Sequence, residues 1–193
     1  MSFQVRKHGF RHPVLVPQSE GLGLVVPPAS EFSVMDIKAL VGKQFPVKAI
    51  ETRAQEEREG WTMGDWARYF AHPEQRGSVL NLIFEFSGTA LQRFVRSPKV
   101  VRDLDWMDTI WPADRRRRGF FPRVQLYCIM SSIGSWMDFH IDFGGSSVWY
   151  HVLRGEKHFL LVPPTTTNLT RFEVRLSGMG GSSICHSAVQ TVE

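Results

Sequence analysis

Cysteine is scarce in this chain of 193 residues: Cys128 and Cys185 are too few for a disulfide framework, and a reducing compartment is expected. No apolar run approaches the roughly 20 residues that a membrane-spanning helix needs. The opening segment, MSFQVRKHGF, lacks the apolar stretch of a secretory signal, so a soluble intracellular protein is expected. Strong charge is also missing. A formal net charge of +4 and a pI of about 9.3 permit contact with nucleic acid without requiring it. There is no internal repeat. What is present is globular, with 42% hydrophobic and 12% aromatic residues, enough for one sizeable core.

Residues 1–30 are rich in proline and glycine and read as an irregular N-terminal arm; residues 31–121 read as a helical and mixed region. Ser33 is placed as an N-cap before Val34, Ile37, Leu40 and Val41 at helical spacing, with Gly42 as the stop. Phe45–Thr52 alternates like a strand, and Arg53–Gly60 is a polar loop. Thr62 caps a short helix, MGDWARYF, whose packing face is Trp66, Tyr69 and Phe70. Val79–Phe86 reads as a strand whose interior Asn81 needs a partner. Ser97-Pro98 opens a new element, DLDWMDTIWP (103–112) forms one short helix ended by Pro112, and Arg115–Arg118 is a basic loop.

From Val124 the character changes to short β runs, VQLYCIM, MDFHIDF, SVWYHVL and KHFLLV, separated by turns at Gly134, Gly144-Gly145 and Gly155. Helices followed by closely spaced strands give the class α+β, with an antiparallel sandwich or barrel. Residues 122–173 hold this β core, which is incomplete at its C-terminal end. Residues 174–193 form a small, polar, glycine-rich tail without periodicity. Such a sandwich leaves an unpaired edge.

On a strand, residues two apart face the same way. His140-Ile141-Asp142 therefore sets an imidazole and a carboxylate side by side, two of the three ligands of a facial triad whose open positions suit Fe(II) oxygenases. Lys157 lies 15 residues after Asp142, across a turn at Arg154-Gly155-Glu156. Its ammonium can return to the metal face and pair with the distal carboxylate of a dicarboxylate such as 2-oxoglutarate. Tyr127 and Asn81 can add polar contacts from neighbouring strands. Each residue also has a plainer reading. An HxD pair or a strand Tyr packs, a hairpin Lys is solvated, and His151 and His158 are packing or surface residues. Arg115–Arg118 is a solvated loop more often than a nucleic-acid patch. The residues alone leave metal chemistry and plain packing both open.

The wording of the chain is more specific. DFHIDFGGSSVWYHVLRGEK (138–157) resembles the iron-binding core of JmjC histone lysine demethylases, in the branch of the fungal JmjC histone demethylation proteins. The likeness extends through GFRHPVLVPQSEGLGL (9–24), VLNLIFEFSGT (79–89), SPKVVRDLDWMDTIWP (97–112), PRVQLYCIM (122–130) and VPPTTTNLTRFE (162–173). It implies a cupin-like (JmjC) double-stranded β-helix and a dioxygenase that uses Fe(II), O2 and 2-oxoglutarate. His140 and Asp142 match the first two iron ligands. Lys157 matches the residue that holds the 2-oxoglutarate carboxylate, with Tyr127 and Asn81 as its polar helpers. The implied reaction oxidises an N-methyl group of histone H3, dimethylated lysine 36 in the fungal branch, and releases formaldehyde and succinate. Implied partners are the H3 tail and nucleosome, with DNA contact through Arg115, Arg116, Arg117 and Arg118, in the nucleus and without a membrane.

The chain departs from the family pattern twice. The family has Thr three residues before the iron-binding His; here Met137 stands, and a thioether cannot donate a hydrogen bond. The distal His of the family lies beyond this chain's β runs. His186 is the only histidine past them, in a tail that matches nothing, and is not expected to be the third ligand. The expectation is thus a C-terminally truncated demethylase with its third ligand missing. The competing readings are a catalytically impaired chromatin-binding remnant and a 2-oxoglutarate-dependent protein hydroxylase.

Overall fold

Regular structure begins where the sequence carries capping residues, in a computed structural model that describes residues 12–178 and 189–192. Helix α1, Val34–Val41, follows Ser33, whose hydroxyl accepts from the Asp36 amide while the Asp36 carboxylate accepts from the Ser33 N–H at 2.8 Å. Helix α2, Met63–Ala71, repeats this capping box with Thr62 and Asp65. Each box satisfies amides that the first helical turn leaves without partners.

Strands β1 (Lys48–Glu51), β2 (Glu56–Arg58), β3 (Leu80–Glu85) and β4 (Tyr127–Ser131) form an antiparallel sheet in the order β2-β1-β3-β4. Alternation along β3 decides where the core sits. Leu80, Leu82 and Phe84 point to one face and meet Ile37 of α1, Met63 and Trp66 of α2, and Val47, Phe86 and Leu91. Trp66 and Leu82 have no exposed surface. Asn81, Ile83 and Glu85 point to the other face, opposite Ser131, Ile129 and Tyr127 of β4. That second face carries the residues of interest.

Several expectations shift. The polar loop 53–60 contains β2, an edge strand of three exposed, charged residues with no apolar alternation. DLDWMDTIWP is not one helix. Helix α3, Lys99–Leu104, ends before Asp105, whose carboxylate caps α4, Trp106–Thr109, by accepting from the Met107 amide at 2.8 Å. The Arg115–Arg118 loop is largely helix α5, Ala113–Arg117, with Pro112 at its start, where a missing N–H costs nothing.

Of the four β runs, VQLYCIM yields β4, and KHFLLV yields β5 (Glu156–Phe159), paired antiparallel with β6 (Val189–Val192). MDFHIDF and SVWYHVL are not strands. A strand needs a hydrogen-bonded neighbour, and among the described residues neither run has one. Helix α6, Thr166–Gly178, crosses the boundary drawn at residue 173. Mixed helix and antiparallel sheet nevertheless agrees with the α+β class. Arg154, in the turn before β5, donates to the carbonyls of Ala29 and Phe32 and ties that turn to the segment leading into α1.

Candidate metal and co-substrate site

After β4 the chain turns at Ser132–Ser135 and is pinned as it leaves. Asn81 Nδ2 donates to the Trp136 carbonyl at 3.0 Å, and Gln55 Nε2 reaches the same oxygen at 3.3 Å. Gln55 Oε1 accepts from the Asp138 amide at 3.0 Å. Asp138 Oδ2 pairs with Arg175 of α6 at 2.5 Å. Met137, between these anchors, is buried. The interior strand Asn therefore has the partner its burial demands.

Two residues past the anchors, His140 Nδ1 lies 3.2 Å from the Asp138 carbonyl and Nε2 lies 3.3 Å from Asp142 Oδ1. The imidazole is 12% exposed and the carboxylate 39%. Burial raises the Asp142 carboxyl above its usual range. A nearby cation would offset that desolvation. Two ligand atoms each about 2.1 Å from one metal ion, at right angles, lie about 3 Å apart. The observed separation thus suits adjacent positions on a single ion, and N plus O donors suit Fe(II). Among the described residues, no cluster of three or more His, Cys, Asp or Glu side chains forms a fuller set. His186 lies outside the described residues.

Lys157, on β5, is not in the hairpin expected, and it pairs with a different phenol from the one expected. Its Nζ donates to the Tyr150 hydroxyl at 2.6 Å and lies 4.3 Å from the Tyr150 ring centroid and 5.7 Å from that of Phe159. Burial lowers the ammonium to about 8. Tyr150 is pushed above the usual phenol range, by burial first and by the Cys128 thiolate second. Tyr127, at the start of β4, is 42% exposed and stands opposite Glu85 of β3; burial and then the Glu85 charge raise its phenol. Asn81 and Tyr127 share a sheet face but stand four positions apart along β4 in register, roughly 13 Å at about 3.3 Å per residue.

Sequence reasoning missed two residues here. Tyr150 lies seven residues before Lys157, and that spacing across a glycine turn was the available signal. Gln55 carried none, because its contacts with this segment lie 81 and 83 residues away. In the basic segment, Arg116 is already committed to Asp108 at 2.5 Å and to the Met107 carbonyl, while Arg115, Arg117 and Arg118 are exposed without an ion pair among the described residues.

No family model matches the chain. Curated relatives do. Lysine-specific demethylase 2A of Xenopus tropicalis is 42% identical over 181 residues, 88% of this chain and 16% of that protein. Histone lysine demethylase PHF8 of Danio rerio is 44% identical over 170 residues, again 88% and 16%. JmjC domain-containing histone demethylation protein 1 of Mycosarcoma maydis is 43% identical over 158 residues, 78% of this chain and 24% of that protein. The chain thus spans between about a sixth and a quarter of these relatives. Over the part it spans, it belongs to the JmjC histone lysine demethylases.

Proposed function

We propose that this chain is part of an Fe(II)- and 2-oxoglutarate-dependent dioxygenase that demethylates a histone lysine, with dimethylated lysine 36 of H3 as substrate. The observation that carries the reading is the 3.3 Å approach of His140 Nε2 to Asp142 Oδ1 on a segment pinned from two sides. In this reading His140 and Asp142 hold Fe(II), which when bound supplies O2 activation. Lys157 pairs with the distal carboxylate of 2-oxoglutarate. Its lowered pKa lets an arriving carboxylate stabilise the ammonium where little water does. Tyr150 accepts from Lys157 and, kept protonated by its raised pKa, has its own O–H to offer the same carboxylate. Asn81 Nδ2 is already given to the Trp136 carbonyl, and Tyr127 stands roughly 13 Å from Asn81 along the second sheet face, so Tyr150 replaces this pair as the helper of Lys157. Met137 removes the hydroxyl contact of the family pattern and weakens co-substrate binding.

The antiparallel sheet is read as part of a cupin-like double-stranded β-helix. The partner is the H3 tail of a nucleosome in the nucleus, with Arg115, Arg117 and Arg118 supplying contacts to DNA phosphates. The direct test is formaldehyde release from a dimethylated H3 lysine 36 peptide with Fe(II), 2-oxoglutarate and ascorbate. Release is expected above a His140→Ala control; equal release from both would remove catalysis from this chain.

A further inference from the structure

Gln55 has a φ of 57°, the one positive value at a non-glycine position among the described residues. That region is strained for a residue with a Cβ, and the types that enter it readily are Gly, Asn and Asp. A glutamine held there points to a task for its longer side chain. The amide makes three contacts: Nε2 donates to the carbonyls of Thr52 and Trp136, and Oε1 accepts from the Asp138 amide at 3.0 Å. The Asp138 carbonyl in turn lies 3.2 Å from His140 Nδ1. An N–H at Nδ1 donating to that carbonyl leaves the Nε2 lone pair facing the same space as Asp142 Oδ1.

We propose that Gln55 is a positioning residue of the metal site: from the β1–β2 turn it fixes Trp136–Asp138, and through the Asp138 carbonyl it sets the orientation and tautomer of His140. The Arg175 grip on the Asp138 carboxylate holds the same residue from α6. The inference rests on the reading of His140 and Asp142 as metal ligands, and the experiment separates the two.

Mn(II) affinity is measured by titration, with thermal midpoints in parallel, on the unaltered chain and on Asp142→Ala, Gln55→Gly and Gln55→Glu. Binding that is lost in Asp142→Ala supports the ligand reading. Gln55→Gly removes the amide while relieving the backbone, so folding is retained; its Mn(II) affinity is expected to fall about 10-fold or more, in the range seen for groups that orient metal ligands. Gln55→Glu keeps an acceptor for the Asp138 amide but has no donor for Trp136, and falls between the two. Unchanged affinity in Gln55→Gly overturns the positioning role and leaves the ligand reading intact. A loss that tracks a lower midpoint and is not partly restored by Gln55→Glu also overturns it. No difference between the unaltered chain and Asp142→Ala overturns the ligand reading and this inference with it.

Discussion

Replacing Lys157 by methionine is expected to make the protein more stable at neutral pH while removing the cation proposed to hold the 2-oxoglutarate carboxylate. Burial lowers the Lys157 ammonium from 10.5 to about 8. At about 1.4 kcal/mol per pH unit, holding the charge there costs about 3 kcal/mol. Lys157 keeps partial contact with solvent, which reduces that figure. Losing the 2.6 Å bond to the Tyr150 hydroxyl removes about 1 kcal/mol of stabilisation. The net gain for Lys157→Met at pH 7 is therefore about 1–2 kcal/mol. Between about 8 and 10.5 the unfolded chain binds a proton that the folded chain has released, so the stability of the unaltered protein rises with pH across that window. The variant has no such proton, so its advantage shrinks across this window and reverses before 10.5, where only the lost Tyr150 bond remains. Urea unfolding of both chains at pH 7 and pH 10 isolates the effect, because the other titrating groups are common to both. A variant less stable at pH 7, or a difference that does not change with pH, would refute the reasoning.

Thr62→Ala removes the hydroxyl that caps α2 and should cost about 1 kcal/mol in urea unfolding at pH 7. The Thr62 hydroxyl is the first cause holding the Asp65 carboxyl below its usual range, so that part of the cost is present above the unfolded carboxylate range and is lost as acid protonates Asp65, while the part from the hydroxyl oxygen accepting the Asp65 amide remains; a cost of the same size at pH 7 and in acid would count against this account. Changing Arg115, Arg117 and Arg118 together to Ser should flatten the salt dependence of duplex DNA binding, lowering the log–log slope by about 2.7 at 0.9 per phosphate contact, as read by fluorescence anisotropy. An unchanged slope would place the DNA contacts elsewhere.

What could be read from the chain was local. Helices α1 and α2 were legible because Ser33 with Asp36, and Thr62 with Asp65, lie three residues apart and apolar residues follow at helical spacing. The β3 strand was legible through its alternation, and Asn81 stood out because a buried amide needs a partner. The HxD spacing marked two side chains that do come within 3.3 Å, although the run is not the strand from which that closeness was argued. Strand β2 was hidden by its uniformly charged, exposed sequence. MDFHIDF and SVWYHVL alternate like strands, but a ladder depends on a neighbour, which no local pattern supplies. Met137 read as a lost donor; the structure adds that its side chain is buried. The Tyr150–Lys157 bond and the reach of Gln55 depend on how distant segments dock.

The anchoring of Asp138 also bears on when the site forms during folding. Its amide waits for a residue 83 positions earlier, and its carboxylate for one 37 positions later. Closing loops of that length costs entropy before the contacts return any stability. The helices with their own caps can form first, then the sheet that α2 covers. The His140–Asp142 segment is anchored only once Gln55 and Arg175 have docked on Asp138 from opposite directions in the chain, which by this reasoning places its ordering after the scaffold is built.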